Sequence, residues 1–296
     1  MAALPTLKQL RYLVALTEEK HFGRAAEACF VTQSTLSAGI QELESLLGAS
    51  LAERTKRSVL LTPLGVKLST RARAILREAE DIVLLAAAEQ KPLNGELRLG
   101  VIPTIGPYLL PRILPEIRKQ YPDLKLYLRE DKTERLLDKL ALGQLDTVLL
   151  ALPYDMDGVD TLSLGTDKFQ LACPSGHPLA ERDEIDLSDL VDEPLMLLEE
   201  GHCLRQHALD ACKLSRRSQA EGFEATSLQT LVHMVAGGLG LTLVPQIAID
   251  AGLTQGLDIS LVPFGDSDTA REIGLAWRRT SARASEFELL GKFFSL

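Results

Sequence analysis

A chain of 296 residues, 46% hydrophobic and 25% charged, is long enough for two or three domains with cores of their own and too apolar to be disordered. No run approaches 18 apolar residues, and the opening Met1-Ala2-Ala3-Leu4-Pro5-Thr6-Leu7-Lys8 has no charged stretch leading into a hydrophobic one, so neither a membrane span nor a signal peptide is expected. The net charge of -9 argues against nucleic-acid binding for the chain as a whole, but residues 1–65 carry seven Lys and Arg against six Asp and Glu, leaving 25 against 35 for the rest.

In chain order, Leu7, Leu10, Leu13, Val14 and Leu16 recur at helical spacing and predict a first helix over Leu7–Glu19. An alanine-rich second helix is predicted over 23–29. Thr32 is a suitable N-cap for a third, in which Leu36, Ile40, Leu43 and Leu47 form the buried stripe and Gly48 is the stop. Small Ala25 and Ala26 let two helices cross closely. Gln33, Ser34, Thr35 and Ser37 put short hydrogen-bonding side chains at the start of the third helix, the end that enters the major groove in a helix-turn-helix. Arg54, Lys56 and Arg57 then precede Val59-Leu60-Leu61-Thr62, a two-stranded wing whose basic tip suits phosphate. A small helical bundle with a solvated basic loop is the alternative on these residues alone.

From Pro63, apt for a first helical turn, to about Gln90, Leu64, Leu68, Ala72, Ile75, Leu76, Ala79, Ile82, Val83 and Ala86 recur at three- and four-residue steps. One long amphipathic helix is predicted, with its apolar stripe awaiting another surface, most simply the same helix of a second subunit. Lys91-Pro92-Leu93-Asn94-Gly95 ends it. The domains expected are 1–62, 63–91 and 92–296, the last divided into one subdomain of about 95–164 with 269–296 and another of about 165–268.

Beyond Gly95, β-rich runs at 97–102, 124–128 and 145–152 alternate with helical patterns at 108–121 and 133–142. A second such unit has runs at 169–173, 195–198, 223–226 and 241–244, with a helix over 227–236. Two doubly wound α/β units imply a hinged cleft, and ligands in such sheets bind outside the carboxyl ends of the strands. Thr104, Thr133, and His202 with Cys203 each follow a predicted strand, and Arg278 ends a late strand at 273–277, so all are expected to face one crevice. Both threonines also suit a helix N-cap with no ligand at all.

Cys203 and Cys212 stand nine residues apart in a segment that reads as helix from Leu204, Ala208, Leu209 and Ala211. On a helix their Cα atoms would lie roughly 13 Å apart on opposite faces, whereas a disulfide needs about 5.5–6 Å. If they bond, the segment must refold and oxidation becomes a change of shape. If they do not, they are small packing residues, the commoner state of a free cysteine. A helix start at Gly201-His202, with Arg205 nearby, favours a thiolate, while Glu199 and Glu200 oppose one if they come close. His202, Cys203, His207 and Cys212 can be written as metal ligands, but residues 203 and 212 point to opposite helix faces, so no metal is expected.

Ala25-Ala26-Glu27, Val31-Thr32-Gln33-Ser34-Thr35-Leu36-Ser37, Ile40, Leu43-Glu44, Gly48, Leu51 and Glu53-Arg54 resemble the DNA-binding domain of LysR-type transcriptional regulators. Ser34 stands where a proline is common, and Ala38-Gly39 replace a bulkier polar pair. The resemblance implies a winged helix-turn-helix, a linker helix that dimerises, commonly into tetramers, and a periplasmic-binding-protein-like effector domain. Within the effector region, Val101-Ile102-Pro103-Thr104-Ile105-Gly106-Pro107-Tyr108-Leu109-Leu110-Pro111, Glu200-Gly201-His202-Cys203-Leu204-Arg205, Cys212 and Ala225-Thr226-Ser227-Leu228 are similar to the OxyR peroxide sensors. That similarity implies that Cys203 is the thiol attacked by hydrogen peroxide and Cys212 the one that resolves it as a disulfide. It further implies that Thr104, Thr133, His202 and Arg278 form the peroxide pocket and that Arg205 changes partners on switching. The function implied is a cytoplasmic activator of oxidative-stress genes, not an enzyme, with peroxide as signal and no cofactor. Its implied partners are promoter DNA contacted by Thr32, Gln33, Ser34, Thr35, Ser37, Arg54, Lys56 and Arg57, further copies of itself, RNA polymerase, and a glutaredoxin or thioredoxin reductant. The rival within the family is a regulator whose cleft binds a small organic metabolite. A thiol enzyme ranks below both, since there is no C-x-x-C motif and the resolving thiol would have to refold at each turnover.

Overall fold

The computed structural model describes residues 4–54, 59–88, 92–153, 157–191, 193, 195–200, 204–205, 219–265 and 269–294. Its packing separates two compact units, Met1–Glu89 and Gln90–Leu296.

In the first unit, α1 (Leu7–Glu19) opens on a capping box: the Thr6 hydroxyl accepts from the Gln9 N–H and the Gln9 side chain accepts from the Thr6 N–H. Helix α2 (Phe22–Ala28) is capped by the His21 ring, and α3 (Gln33–Leu47) by Thr32. Gly48 ends α3 at φ 65°, a left-handed conformation that suits glycine. Leu13, Leu16, Ala25, Leu36, Ile40 and Leu43 close the core between the three helices. Gly39 is required by that packing, because a Cβ there would stand 2.6 Å from a ring carbon of buried Tyr12. The antiparallel wing strands β1 (Ala52–Arg54) and β2 (Val59–Leu61) follow.

The long helix α4 (Pro63–Ala88) packs the first part of its apolar stripe inside its own unit. Ser69 and Ala72 are buried, Leu68 joins the three-helix core, and Arg73 bonds Glu18 of α1 at 3.3 Å. Gly65 is the residue that lets α4 start so close, since a Cβ would collide with the Leu51 carbonyl oxygen. Farther along, Ile75, Ile82 and Val83 stay exposed. Among the described residues no helix is long and apolar enough to cross a membrane.

The second unit has two cores. Around the first, β3 (Gly95–Val101) lies between parallel neighbours β4 (Leu124–Glu130) and β5 (Thr147–Leu152), with α5 (Gly106–Gln120) and α6 (Thr133–Ala141) as crossovers. The sixteen-residue β6 (Val159–Pro174) serves both halves: its first part pairs with β11, its last with β9 and β10. The second core packs β7 (Leu195–Leu198), β8 (Gln219–Ala225), α7 (Leu228–Ala236), β9 (Thr242–Pro245), α8 (Gln246–Asp250) and β10 (Ile259–Pro263) against the end of β6. Strand β11 (Ala270–Arg278) returns to the first core between β5 and β6, antiparallel to both, and α9 (Ala284–Gly291) packs its Phe287 and Leu290 there. The seven-stranded sheet is therefore mixed, with β3, β4 and β5 parallel and β6, β9, β10 and β11 joined antiparallel, while β7 and β8 pair in parallel apart from it. Periodicity in the sequence reports a strand without its direction.

Candidate functional site

At the start of α3, Thr32, Gln33, Ser34 and Thr35 are exposed and Ser37 half-buried. Thr32 is occupied with folding: its hydroxyl oxygen accepts from the Thr35 N–H at 3.3 Å and lies 2.9 and 2.8 Å from the Ser34 and Thr35 hydroxyls. The result is an N-terminal helix end that offers unpaired N–H groups and hydroxyls to solvent, as major-groove reading requires. Arg54 closes β1 opposite Val59. Lys56 and Arg57 lie outside the described residues.

The second site stands at the carboxyl edge of β3, β4 and β5. In the parallel register Val101 faces Glu130, so Thr104 and Thr133, each three residues farther on, leave adjacent strands at the same level. Neither caps its helix: α5 is preceded by Ile105 and α6 by Lys132, without a side-chain cap bond in either case. Both threonines are nonetheless buried, with 2% and 3% exposure. Thr104 accepts from Arg271, whose Nη1 reaches Oγ1 at 2.8 Å and Nη2 the carbonyl oxygen at 3.0 Å. With its oxygen thus occupied, the Thr104 hydroxyl has its proton left to donate. The Thr133 hydroxyl is buried without a partner among the described residues. A buried polar atom left bare costs free energy and calls for an explanation, of which a ligand is one.

Arg271 is itself fixed by Asp167, at 3.0 Å from Nε and 2.9 Å from Nη2, and both side chains are wholly buried. Burial pushes the Asp167 carboxyl up, against the pull of Arg271 and the Ile247 and Gln246 N–H groups. Tyr108 stands near the same arginine, and burial with the adjacent Glu130 drives its hydroxyl up to about 12. Burial raises Glu130 as well. The edge thus gathers two buried hydroxyls and a buried guanidinium fixed by Asp167.

Residues 7–66 match the bacterial regulatory helix-turn-helix proteins of the lysR family, and residues 90–294 match the LysR substrate binding domain. The chain belongs to the LysR family. Among its LysR relatives, the regulator EstR of Acinetobacter baylyi is 44% identical, over 98% of this chain and 96% of its own length. A probable hydrogen peroxide-inducible genes activator of Mycobacterium avium is 43% identical, over 97% and 93%. A full-length OxyR variant from Pseudomonas aeruginosa superposes with a TM-score of 0.83 at 38% identity, covering 99% of this chain and 95% of that one.

Within this LysR effector domain one predicted pocket residue is misplaced. Arg278 does not face the threonines. Because β11 runs antiparallel, its amino end, where Glu272 pairs with Leu152, lies at the carboxyl edge of β5, and Arg278 lies at the opposite edge beyond Thr147. There its Nη1 donates to the Leu140 and Leu145 carbonyls, both at 2.6 Å. Arg271, one residue from that upper end, is the arginine at the site. The sequence carried a signal for it, Arg271 two residues before the apolar run 273–277 and Arg278 directly after it, but no indication of which end faced the crevice.

Leu204 and Arg205 are helical, and the Arg205 guanidinium donates to the Leu198 carbonyl at the end of β7, at 3.0 Å. Cys203, Cys212 and His202 lie outside the described residues. Of the other two cysteines, Cys173 is buried in β6 with its thiol 3.8 Å from the Ser260 carbonyl, and Cys29 ends α2 half-buried. Burial raises both thiols, which disfavours the reactive thiolate.

Proposed function

We propose that this LysR protein is a peroxide-responsive regulator of transcription in which Cys203 is the sensing thiol. The observation that carries the reading is the pair of buried hydroxyls at one strand edge, Thr104 held by Arg271 and Thr133 bare, beside the chain that leads into Cys203. Such a site suits a molecule as small and polar as hydrogen peroxide, the signal named for the Mycobacterium avium relative. In the first step the Cys203 thiolate attacks one peroxide oxygen. The O–O bond breaks, the sulfur takes one oxygen as sulfenic acid, and the other leaves as water after gaining a proton, with the Thr104 and Thr133 hydroxyls and Arg271 stabilising the charge that moves onto it. In the second step the Cys212 thiol attacks the sulfenic sulfur, forming the disulfide and releasing a second water. The segment between them refolds, the contacts between effector domains shift, and the spacing of the DNA-reading helices changes with them. Dithiol exchange with a glutaredoxin or thioredoxin restores the reduced form. Peroxide is a signal here and no cofactor is needed. The protein works in the cytoplasm as a dimer or tetramer at promoter DNA, where it engages RNA polymerase.

The test is thiol trapping with mass mapping, before and after one equivalent of hydrogen peroxide. A rapid Cys203–Cys212 disulfide, with Cys29 and Cys173 free, is expected. Unreacted thiols at 203 and 212 would overturn the reading and favour a small organic metabolite in the cleft.

A further inference from the structure

Lys132 crosses from the first core of the effector unit to the second at the point where both approach the threonine site. Its backbone is fixed first. The Lys132 N–H donates to Asp131 Oδ1 at 3.0 Å, and Asp131 is in turn held by Lys139 Nζ at 2.6 Å and by Arg135 at 3.6 Å. From that footing, one residue before Thr133, the side chain reaches the stretch after β7. Its ammonium lies 2.7 Å from Glu199 Oε1 and donates to the Glu200 carbonyl at 2.8 Å. The same stretch is tied from its own side by the Glu199 N–H to the Ala225 carbonyl and by Arg205 to the Leu198 carbonyl. Glu199 and Glu200 stand four and three residues before Cys203.

We propose that Lys132 is a positioning residue for the peroxide reaction: its ammonium clasps the chain at Glu199 and Glu200, four and three residues before Cys203 in sequence, to the Thr133 end of α6. The clasp also answers an electrostatic difficulty. Two glutamates three and four residues upstream of a thiol that must ionise oppose it if they come close, and a cation on Glu199 offsets part of that charge. Two bonds from one ammonium, one to a carboxylate and one to a main-chain carbonyl, fix direction as well as charge.

The inference rests on Cys203 being the sensing thiol, and the experiment separates the two claims. The rate constant for Cys203 oxidation by hydrogen peroxide is measured on the full-length protein for the wild type, Lys132→Met and Lys132→Arg. Lys132→Met is expected to slow oxidation about fivefold to tenfold, the scale of one charge-assisted contact at a partly exposed site. Lys132→Arg, which keeps the charge and both donors, is expected to recover most of the rate. A wild-type measurement stands independently of whether either variant folds. Peroxide is uncharged, so salt leaves its encounter with the protein unaffected, and raising NaCl from about 0.05 to 1 M is expected to slow the wild type by screening the ion pair. A reactive wild type with no salt dependence, or a Lys132→Met variant that oxidises as fast, would overturn the inference alone. So would a Lys132→Arg variant as slow as Lys132→Met. An unreactive wild-type Cys203 would instead remove the peroxide reading, and this inference with it.

Discussion

The DNA-reading unit and the effector unit place their functional residues in opposite ways. In the first, Thr32 to Ser37 are neighbours in the chain and one helix start presents them together. In the second, Thr104, Lys132 with Thr133, Glu199 and Arg271 come from four separate places, and strand order and direction bring them to one edge. The difference teaches where each unit is fragile: the first depends on helix packing around a local motif, the second on long-range ion pairs that hold distant strands in register.

The largest effect is expected at Arg271. Arg271→Met leaves the Asp167 carboxylate buried without its cation, which should cost about 3–5 kcal/mol and lower the thermal midpoint of the effector unit clearly in calorimetry. Peroxide oxidation of Cys203 should fall with it. Arg278→Met, by contrast, removes bonds to two carbonyls at the far edge and should leave the oxidation rate within about twofold, as expected of distant sites. Equal effects of the two on that rate would break the assignment of the pocket arginine.

Thr133→Val probes the same edge without disturbing the frame. Replacing a buried, bare hydroxyl by a methyl of the same shape should be nearly neutral for stability, yet slow oxidation by about tenfold or more if the hydroxyl serves the peroxide. A fall in stability with no change in rate would return Thr133 to a structural role. On the other side of the comparison, Gly39→Ala should destabilise the DNA-reading unit by about 1–3 kcal/mol through the clash with Tyr12, overriding the gain of up to about 1 kcal/mol that alanine brings to a helix. Calorimetry of the full chain would show the lower transition in that unit alone.

The smallest expected effect is a pH dependence at Asp131. The hydrogen bond from Lys139 first, and the Lys132 N–H with the nearby charges after it, hold this carboxyl below the usual range against a smaller opposing effect of burial. A carboxyl lowered on folding adds stability that is fully present above the ordinary aspartate value of about 3.9 and is lost as the pH falls through the lower folded value. For this largely covered pair the contribution should be about 1 kcal/mol. The difference in thermal midpoint between the wild type and Asp131→Asn should therefore be full near neutrality and shrink in acid. A difference independent of pH would contradict the sign.

Much of the fold was legible in the chain. The helices α1 and α3, the wing and the long α4 follow from apolar spacing, an N-cap threonine and a stop glycine, because each is a property of neighbouring residues. What escaped has a common cause. The packing of α4 on α1, the length of β6 and the direction of β11 all depend on partners remote in sequence. So does the value of Gly39, a weak helix former in isolation and a necessity beside Tyr12.

The sequence by itself determined the local chemistry: a helix start rich in hydroxyls, two threonines after strands, two cysteines nine residues apart and the family to which they belong. Only the tertiary structure decided which arginine meets the threonines and which lysine pairs with Glu199. The physical reason is that helix caps and periodicity are settled within a few residues, whereas a strand's direction and an ion pair across 67 positions, such as Lys132 with Glu199, exist only once the chain has closed on itself.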